Sequence, residues 1–166
     1  MGQVMAKLSI LSLAPLHRAG HVSASGSSVT ARDSLDFVVD GQALSNRVRG
    51  DYASCLGWGT ADWEASVVEK LLARAEPDAP PNRVALYICP ECGDLGCGAV
   101  TAAIERDGPT IIWHTFGYEN DYDEAPRYEW HQHLGPFRFD AVEYERVLRA
   151  SYADAAKHRD QPSNDR

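Results

Sequence analysis

Basic residues are few in this sequence, and long apolar segments are missing. The 166 residues include 16 Lys and Arg against 24 Asp and Glu, which gives a formal net charge of −8. Nucleic-acid-binding proteins need a basic face for the phosphates, so this balance argues against that class. No run approaches the roughly 20 apolar residues of a membrane-spanning helix. We therefore expect binding to neither nucleic acid nor membrane, whereas an acidic surface favours a basic protein partner.

Sequence motifs of several enzyme classes are also missing. Gly93, Gly96 and Gly98 do not have the G-x-G-x-x-G order that precedes a helix in dinucleotide-binding proteins. The G-x-S-x-G elbow that carries a nucleophilic serine does not occur either. These absences favour a non-catalytic protein over an enzyme.

The segment LSILSLAPL, at residues 8–16, resembles a secretory signal only loosely. Its apolar run is short, and Pro15, His17 and Arg18 interrupt it before any cleavage site. We interpret this segment as the first β-strand. We therefore expect a cytoplasmic protein, in which thiols stay reduced.

The pattern of apolar residues predicts a single α+β domain over residues 1–155, followed by a flexible polar tail over residues 156–166. Thr60 is a suitable N-cap for one central helix over residues 60–75. Asp140 is a suitable N-cap for a C-terminal helix, since apolar residues recur at helical spacing after it.

The strands are predicted to be mostly antiparallel. Alternation in SLDFVVD, residues 34–40, indicates an early strand. Three extended runs follow the central helix, at residues 83–89, 98–106 and 110–119, and they predict a meander. A cysteine-containing β-turn is expected to connect its first two strands.

Cysteine is scarce, but three of the four cysteines lie within nine residues, in the stretch YICPECGDLGCGAV. Their spacing is Cys89-x2-Cys92-x4-Cys97. A Cys-Pro-x-Cys-Gly turn between two strands aims two sulfurs at one point, as a zinc knuckle does, and the glycine lets the backbone fold beneath the ion. Cys97 opens the next strand and is placed to be a third ligand. The sequence therefore predicts a structural cysteine cluster that could hold zinc.

The fourth ligand and the role of the thiols stay open at this stage. Cys55 has the right chemistry to complete a tetrahedral site. A histidine is the alternative, and the candidates are His114, His131 and His133. Two other interpretations are reduced, metal-free thiols in a tight turn and a redox couple of Cys89 and Cys92. A thioredoxin-like couple precedes a helix, whereas a glycine-rich turn and another strand follow here.

Residues 130–133, WHQH, also invite a metal-binding interpretation. In an extended segment, alternate residues point to the same side, so His131 and His133 could form a two-ligand site. The simpler interpretation is a polar loop that leads to the last helix, and we favour it.

The segment before these histidines is both acidic and aromatic. Between residues 119 and 129 there are five acidic residues and one arginine. Exposed aromatic and acidic side chains together suit the capture of a basic protein surface. The residues expected to contact such a partner are Tyr118, Asp121, Tyr122, Asp123, Glu124, Tyr128 and Trp130.

Three motifs resemble those of a family of uncharacterised bacterial proteins. These are a Cys-Gly-acid-x-Gly-Cys turn between two strands, a Trp-x-x-Phe strand, and a Gly-Pro-Phe-x-Phe-Asp entry to a helix that contains a tyrosine. The matching positions are Cys92, Gly93, Asp94, Gly96, Cys97, Trp113, Phe116, Gly135, Pro136, Phe137, Phe139, Asp140 and Tyr144. The resemblance covers residues 83–150 and implies a bacterial protein. It implies no established activity, although some members carry an automatic oxidoreductase label.

The sequence as a whole predicts a non-catalytic, acidic interaction module, similar in kind to immunity or inhibitor proteins, with a structural cysteine cluster. The alternative is a thiol- or metal-dependent oxidoreductase. The first hypothesis depends on the acidic aromatic segment, and the alternative depends on the chemistry of the clustered thiols.

Overall fold

A computed structural model describes the backbone of residues 7–159 and the side chains of residues 7–150. Over this range the chain forms ten strands and two α-helices. In chain order these are β1 (Leu11–Arg18), β2 (His21–Val22), β3 (Ser28–Val29), β4 (Arg32–Val39), β5 (Gln42–Ala43), β6 (Ala53–Ser54), α1 (Ala61–Leu71), β7 (Arg83–Ile88), β8 (Ala99–Asp107), β9 (Thr110–Glu119), β10 (Phe137–Asp140) and α2 (Ala141–Arg159).

The strands form two main antiparallel sheets and a short hairpin of β2 and β3. One sheet has the order β1-β4-β5, and the other has the order β10-β9-β8-β7-β6. Strands β7, β8 and β9 are sequential neighbours, so the predicted meander is confirmed. The prediction of an α+β fold with mostly antiparallel strands is also confirmed.

The two sheets adjoin at both ends. The Leu35 N–H donates to the Leu56 carbonyl at 2.9 Å, beside β6. At the other end, the Ser9 N–H donates to the Arg138 carbonyl at 2.6 Å, and Ser9 bridges Phe139 in a parallel pairing. The sheets therefore enclose one shared core, from which their inward-facing apolar residues exclude water.

Trp113 lies at the centre of that core and is fully buried. Its ring packs edge-on against Phe37 and Phe139, with ring centroids 5.4 and 5.1 Å away. The indole N–H donates to the Tyr144 hydroxyl at 3.0 Å, and that hydroxyl donates to the Leu71 carbonyl at 2.6 Å. One tyrosine therefore connects β9, α2 and the last turn of α1.

Both predicted helix caps are confirmed. Thr60 Oγ1 accepts from the Trp63 N–H at 3.2 Å, and Asp140 accepts from the Glu143 N–H at 3.0 Å. The central helix is shorter than predicted, because it ends at Leu71 and Ala73 adopts a positive φ of 57°.

Two boundaries near the C-terminus also differ from the predicted ones. Residues 137–140 form β10, which pairs with β9 and was not predicted. Helix α2 runs through Arg159, past the predicted start of the tail at residue 156. The rest of the predicted tail, residues 160–166, lies outside the described residues. Neither helix of the described chain combines the length and apolar character that crossing a membrane requires.

We predict that Tyr144→Phe destabilises the fold while preserving its shape. The substitution leaves the buried Trp113 N–H without its acceptor, which costs about 1–3 kcal/mol in the free energy of unfolding. Urea unfolding measures this loss. Tyr122→Phe is the matched control, because Tyr122 is 88% exposed and the same deletion should change stability by less than about 0.5 kcal/mol. Equal losses in both variants would contradict the proposed role of the Tyr144 hydroxyl.

Candidate metal centre

The connection between β7 and β8, residues 89–98, brings the clustered cysteines together, and we call it the cysteine turn. Gly93 adopts a φ of 67°, which lets the chain reverse, and its N–H donates to the Cys89 carbonyl at 2.9 Å. The Asp94 carboxylate then accepts from the Gly96 N–H at 3.0 Å and begins a single 3₁₀ turn over Leu95–Cys97. Local hydrogen bonds thus fold the turn so that its cysteines converge.

The sulfurs of Cys89, Cys92 and Cys97 all lie within 4.8 Å of one another. Those of Cys92 and Cys97 are 2.9 Å apart. With Zn–S bonds near 2.3 Å, two sulfurs on a tetrahedral zinc lie about 3.8 Å apart. The Cys92–Cys97 separation is shorter than that value by about 0.9 Å, and no pair exceeds it by more than about 1 Å, so small side-chain movements would fit the three thiolates to one ion.

The cluster is at the surface: Cys89 is half-buried, and Cys92 and Cys97 are exposed. The hydrogen bond between the Cys92 and Cys97 sulfurs lowers the pKa of Cys92, and the Asp94 backbone N–H and the Cys89 thiol lower it further. The same contact raises the pKa of Cys97. A metal ligand must be deprotonated, and of this hydrogen-bonded pair Cys92 ionises more readily than Cys97.

Cys55 is not brought into this group. It follows β6, is 2% exposed, and its N–H donates to the Leu86 carbonyl at 3.0 Å. Burial raises the pKa of its thiol well above the ordinary value. Within the described residues, the group of converging potential ligands contains the other three cysteines and not Cys55.

The candidate histidines also lie elsewhere. His131 is fully buried, and its Nε2 accepts from the Arg49 N–H at 3.1 Å. His133 contacts the Arg47 carbonyl at 3.1 Å, and His114 contacts Glu105 at 3.1 Å. None of the three is among the converging ligands in the described part of the chain.

The idea that His131 and His133 share one side of an extended segment is wrong. These residues lie in a turn, since the His131 N–H donates to the Tyr128 carbonyl and the Leu134 N–H to the His131 carbonyl, each at 3.0 Å. As a result, the side chain of His131 is buried while His133 is exposed. Desolvation of the buried ring lowers the pKa of His131.

The three-stranded sheet holds the cysteine turn from one side. Glu91, which lies between the first two cysteines, accepts from the Thr30 N–H at 2.9 Å and from Arg18 at 2.8 Å. Arg32 donates to the Pro90 carbonyl at 3.0 Å. Hydrogen bonds from Thr30, followed by the Arg18 guanidinium, lower the pKa of Glu91 to about 2. These long-range contacts could not be read from the spacing of the cysteines.

The acidic aromatic segment holds the same turn from the other side, and we call residues 119–130 the acidic loop. The Asp121 N–H donates to the Gly96 carbonyl at 3.2 Å, and the Asp121 carboxylate lies where a Gly96 side chain would be. The hydroxyl of Tyr118, the residue just before the loop, closes off the space beside Gly98, which has a φ of 123°. Gly96 and Gly98 therefore let the loop approach the turn closely, and Gly98 also adopts a backbone conformation that favours glycine.

The acidic loop is internally ordered. Tyr118 and Arg127 exchange two backbone hydrogen bonds of 2.8 Å, and Asp123 pairs with Arg127 at 2.9 Å. Trp130 packs against Tyr118 with ring centroids 5.3 Å apart. Glu119 is paired with the buried Arg83 at 3.1 Å. Two of the five acids thus have cationic partners inside the fold, and their charge is less available to a binding partner.

The remaining predicted contact residues lie on the outside of the loop. Tyr122 is 88% exposed and Tyr128 is 40% exposed, although the Tyr128 ring also packs 5.3 Å from the Arg83 guanidinium. Asp121 and Glu124 are exposed as well. The structure therefore places an exposed aromatic ring between two acids, next to the cysteine turn.

Comparison with family models, with curated proteins and with solved structures found no match to this chain. The resemblance to a bacterial family therefore stays a prediction. The interpretation of the site depends on its own geometry and chemistry: three converging sulfurs in a turn that is held from both sides.

We predict that Glu91→Gln lowers the melting temperature of the metal-free protein at pH 7, because the charged carboxylate is the better acceptor for Thr30 and Arg18. The folded-state pKa of Glu91 is about 2, below its ordinary value of 4.5. The charged carboxylate therefore contributes its full stabilisation at pH values above 4.5, and this stabilisation is lost as the pH falls towards 2.

Thermal unfolding between pH 7 and pH 3 tests this prediction. The difference between Glu91→Gln and wild type should shrink as the pH falls below about 4.5. Glu76→Gln, at an exposed glutamate outside the turn, is the control and should show little difference at any pH. A pH-independent effect of Glu91→Gln would contradict the charge argument.

Proposed function

We propose that this protein is a non-catalytic, acidic interaction module whose cysteine turn binds Zn²⁺. The observation that carries the proposal is the convergence of three sulfurs within 4.8 Å in a turn fixed by contacts on both sides. Soft thiolate ligands suit zinc, and a pre-folded turn reduces the entropy lost when the ion binds.

The donor set defines how the ion would be held. Cys89, Cys92 and Cys97 supply three ligands, and no fourth side chain of the described residues joins them. A fourth position on zinc would then be filled by water or by another molecule. This differs from the closed four-cysteine site in which Cys55 would have completed the tetrahedron.

The acidic loop supports the interaction part of the proposal. It packs on the cysteine turn through Asp121 and Tyr118, so an ion that rigidifies the turn also rigidifies the loop. Tyr122 projects from it with 88% exposure, and exposed aromatic rings are frequent anchors in interfaces. The net charge of −8 favours a basic protein partner through long-range attraction.

We predict one zinc ion per chain in protein purified under reducing conditions, measured by elemental analysis. Cys92→Ser and Cys97→Ser should abolish stoichiometric binding, because each removes one of three thiolates. Cys55→Ser is the matched control and should retain the ion, since the Cys55 thiol lies outside the cluster. Reactive thiols at all three cluster positions of wild type, with no bound zinc, would contradict the proposal.

A thiol oxidoreductase is the second candidate function, and the 2.9 Å contact between the Cys92 and Cys97 sulfurs favours it. The contact points to Cys92 and Cys97 as the couple, in place of the Cys89 and Cys92 couple expected from the sequence. The Cys92 thiolate would attack the disulfide of oxidised glutathione and displace one glutathione thiol, and Cys97 would then displace the second, so the two protein thiol protons leave on two glutathione thiols as the Cys92–Cys97 disulfide forms. Mapping of that disulfide in zinc-free wild-type protein would favour this function over zinc binding.

We predict that the charges of the acidic loop determine partner binding. The double variant Asp121→Asn, Glu124→Gln should lose a basic partner that wild type captures from a host lysate at low salt and releases at high salt. Asp123 is left intact because its pairing with Arg127 orders the loop. Capture products are identified by mass spectrometry.

The control for this experiment removes the same charge elsewhere. Glu76→Gln, Asp107→Asn changes two exposed acids outside the loop and should capture the partner as wild type does. Equal capture by the loop variant would show that the acidic loop is not the binding surface.

A further inference from the structure

A cleft opens beside the cysteine turn, at the start of α1. It has a volume of about 310 Å³ and is lined by Trp58, Gly59, Thr60, Trp63, Cys92 and Gly93. We call it the tryptophan cleft. Ligand pockets typically range from about 300 to 1,000 Å³, so this cleft is large enough for a small molecule.

The walls of the cleft are held in place. Both the Gly57 and Gly59 N–H groups donate to the buried carboxylate of Glu64, at 2.8 and 3.0 Å, which fixes the segment that carries Trp58. The Trp58 indole N–H donates to the Ser54 carbonyl at 2.8 Å. A cleft that is formed before a ligand arrives requires little ordering on binding.

The two glycines of the cleft keep it open. A side chain at Gly59 would collide with the Trp63 ring, and one at Gly93 would come within 3.1 Å of the Trp58 ring. Arg32 already lies over Trp58, 4.2 Å from the ring centroid, so one aromatic face is used by a cation of the protein itself. Apart from Cys92, the lining therefore offers mainly apolar surface and contains no ionisable side chain.

Cys92 belongs to both the cleft and the three-sulfur cluster. A molecule in the cleft therefore lies beside any ion held by the cysteine turn. Because three thiolates give a Zn²⁺ centre a net negative charge, and the chain itself carries −8, a neutral fourth donor is favoured over another anion. Imidazole nitrogen is such a donor and is a frequent partner of three cysteines on zinc.

We propose that the tryptophan cleft binds a small apolar imidazole, whose ring nitrogen completes the coordination of the ion while its apolar group packs against the adjoining rings of Trp58 and Trp63, whose centroids are 6.2 Å apart. This inference rests on the proposed metal centre. The cleft supplies selectivity through apolar burial, and the ion supplies the one polar contact.

The experiment uses the full chain loaded with Co²⁺, whose visible absorption reports its ligands. Thiolate-to-cobalt absorption should appear on loading, and its absence would overturn the metal centre itself. The loaded protein is then titrated with 4-phenylimidazole and, separately, with imidazole. Burial of the phenyl ring should make 4-phenylimidazole bind at least about tenfold more tightly than imidazole, with a change in the cobalt bands.

Two variants at one position test the role of the cleft wall. Trp58→Phe keeps an aromatic wall and should retain most of the preference for 4-phenylimidazole. Trp58→Ala removes the wall and should bind the two compounds with similar affinity. Both variants lose the same indole hydrogen bond to Ser54, so that loss cancels in the comparison.

Several outcomes separate the two proposals. Normal cobalt loading with equal affinity for the two compounds in wild type would overturn the cleft proposal and leave the metal centre intact. Tryptophan fluorescence that changes on titration while the cobalt bands do not would also overturn it, because the compound would then bind without coordinating. If Trp58→Ala fails to load cobalt, the affinities of wild type for 4-phenylimidazole and for imidazole still test the cleft proposal.

Discussion

The need to satisfy one buried indole N–H organises the fold. Trp113 is fully enclosed between the two sheets, and a buried N–H without an acceptor is costly. The Tyr144 hydroxyl meets this need and donates in turn to the Leu71 carbonyl. This chain of two hydrogen bonds connects both helices to the five-stranded sheet. The end of β7 and the start of α1, which carry the candidate sites, pack in a second, smaller apolar cluster, in which Ile88 and Ala99 lie against Trp58, Trp63 and Leu95.

The candidate metal centre and the tryptophan cleft are two sides of one surface. Cys92 faces both, and the acidic loop packs against the opposite part of the cysteine turn through Gly96 and Gly98. An ion, a small molecule and a protein partner would therefore all bind at or beside the cysteine turn. Occupancy of one site is expected to influence the order of the others, since each depends on how firmly that turn is held.

The sequence predicted elements whose signals are local, and it missed contacts that join distant segments. The meander followed from three apolar runs, and the caps at Thr60 and Asp140 from side chains that bond within one helical turn. Clustering of the three cysteines also followed from spacing. By contrast, the isolation of Cys55 and the contact of Glu91 with Arg18 depend on how the two sheets meet. The strand β10 was missed because its pairing partner, and not its own composition, defines it.

The contacts of Glu91 have a consequence for the order of folding. Its partners Arg18 and Thr30 are separated from it by 73 and 61 residues. Contacts between such distant segments form after local structure, because closing a long loop loses chain entropy before any contact compensates. The Cys89–Cys97 segment can fold locally, but it is fixed only once the N-terminal strands have docked. Tight ion capture is therefore expected late in folding, so that metal uptake would report a completed domain.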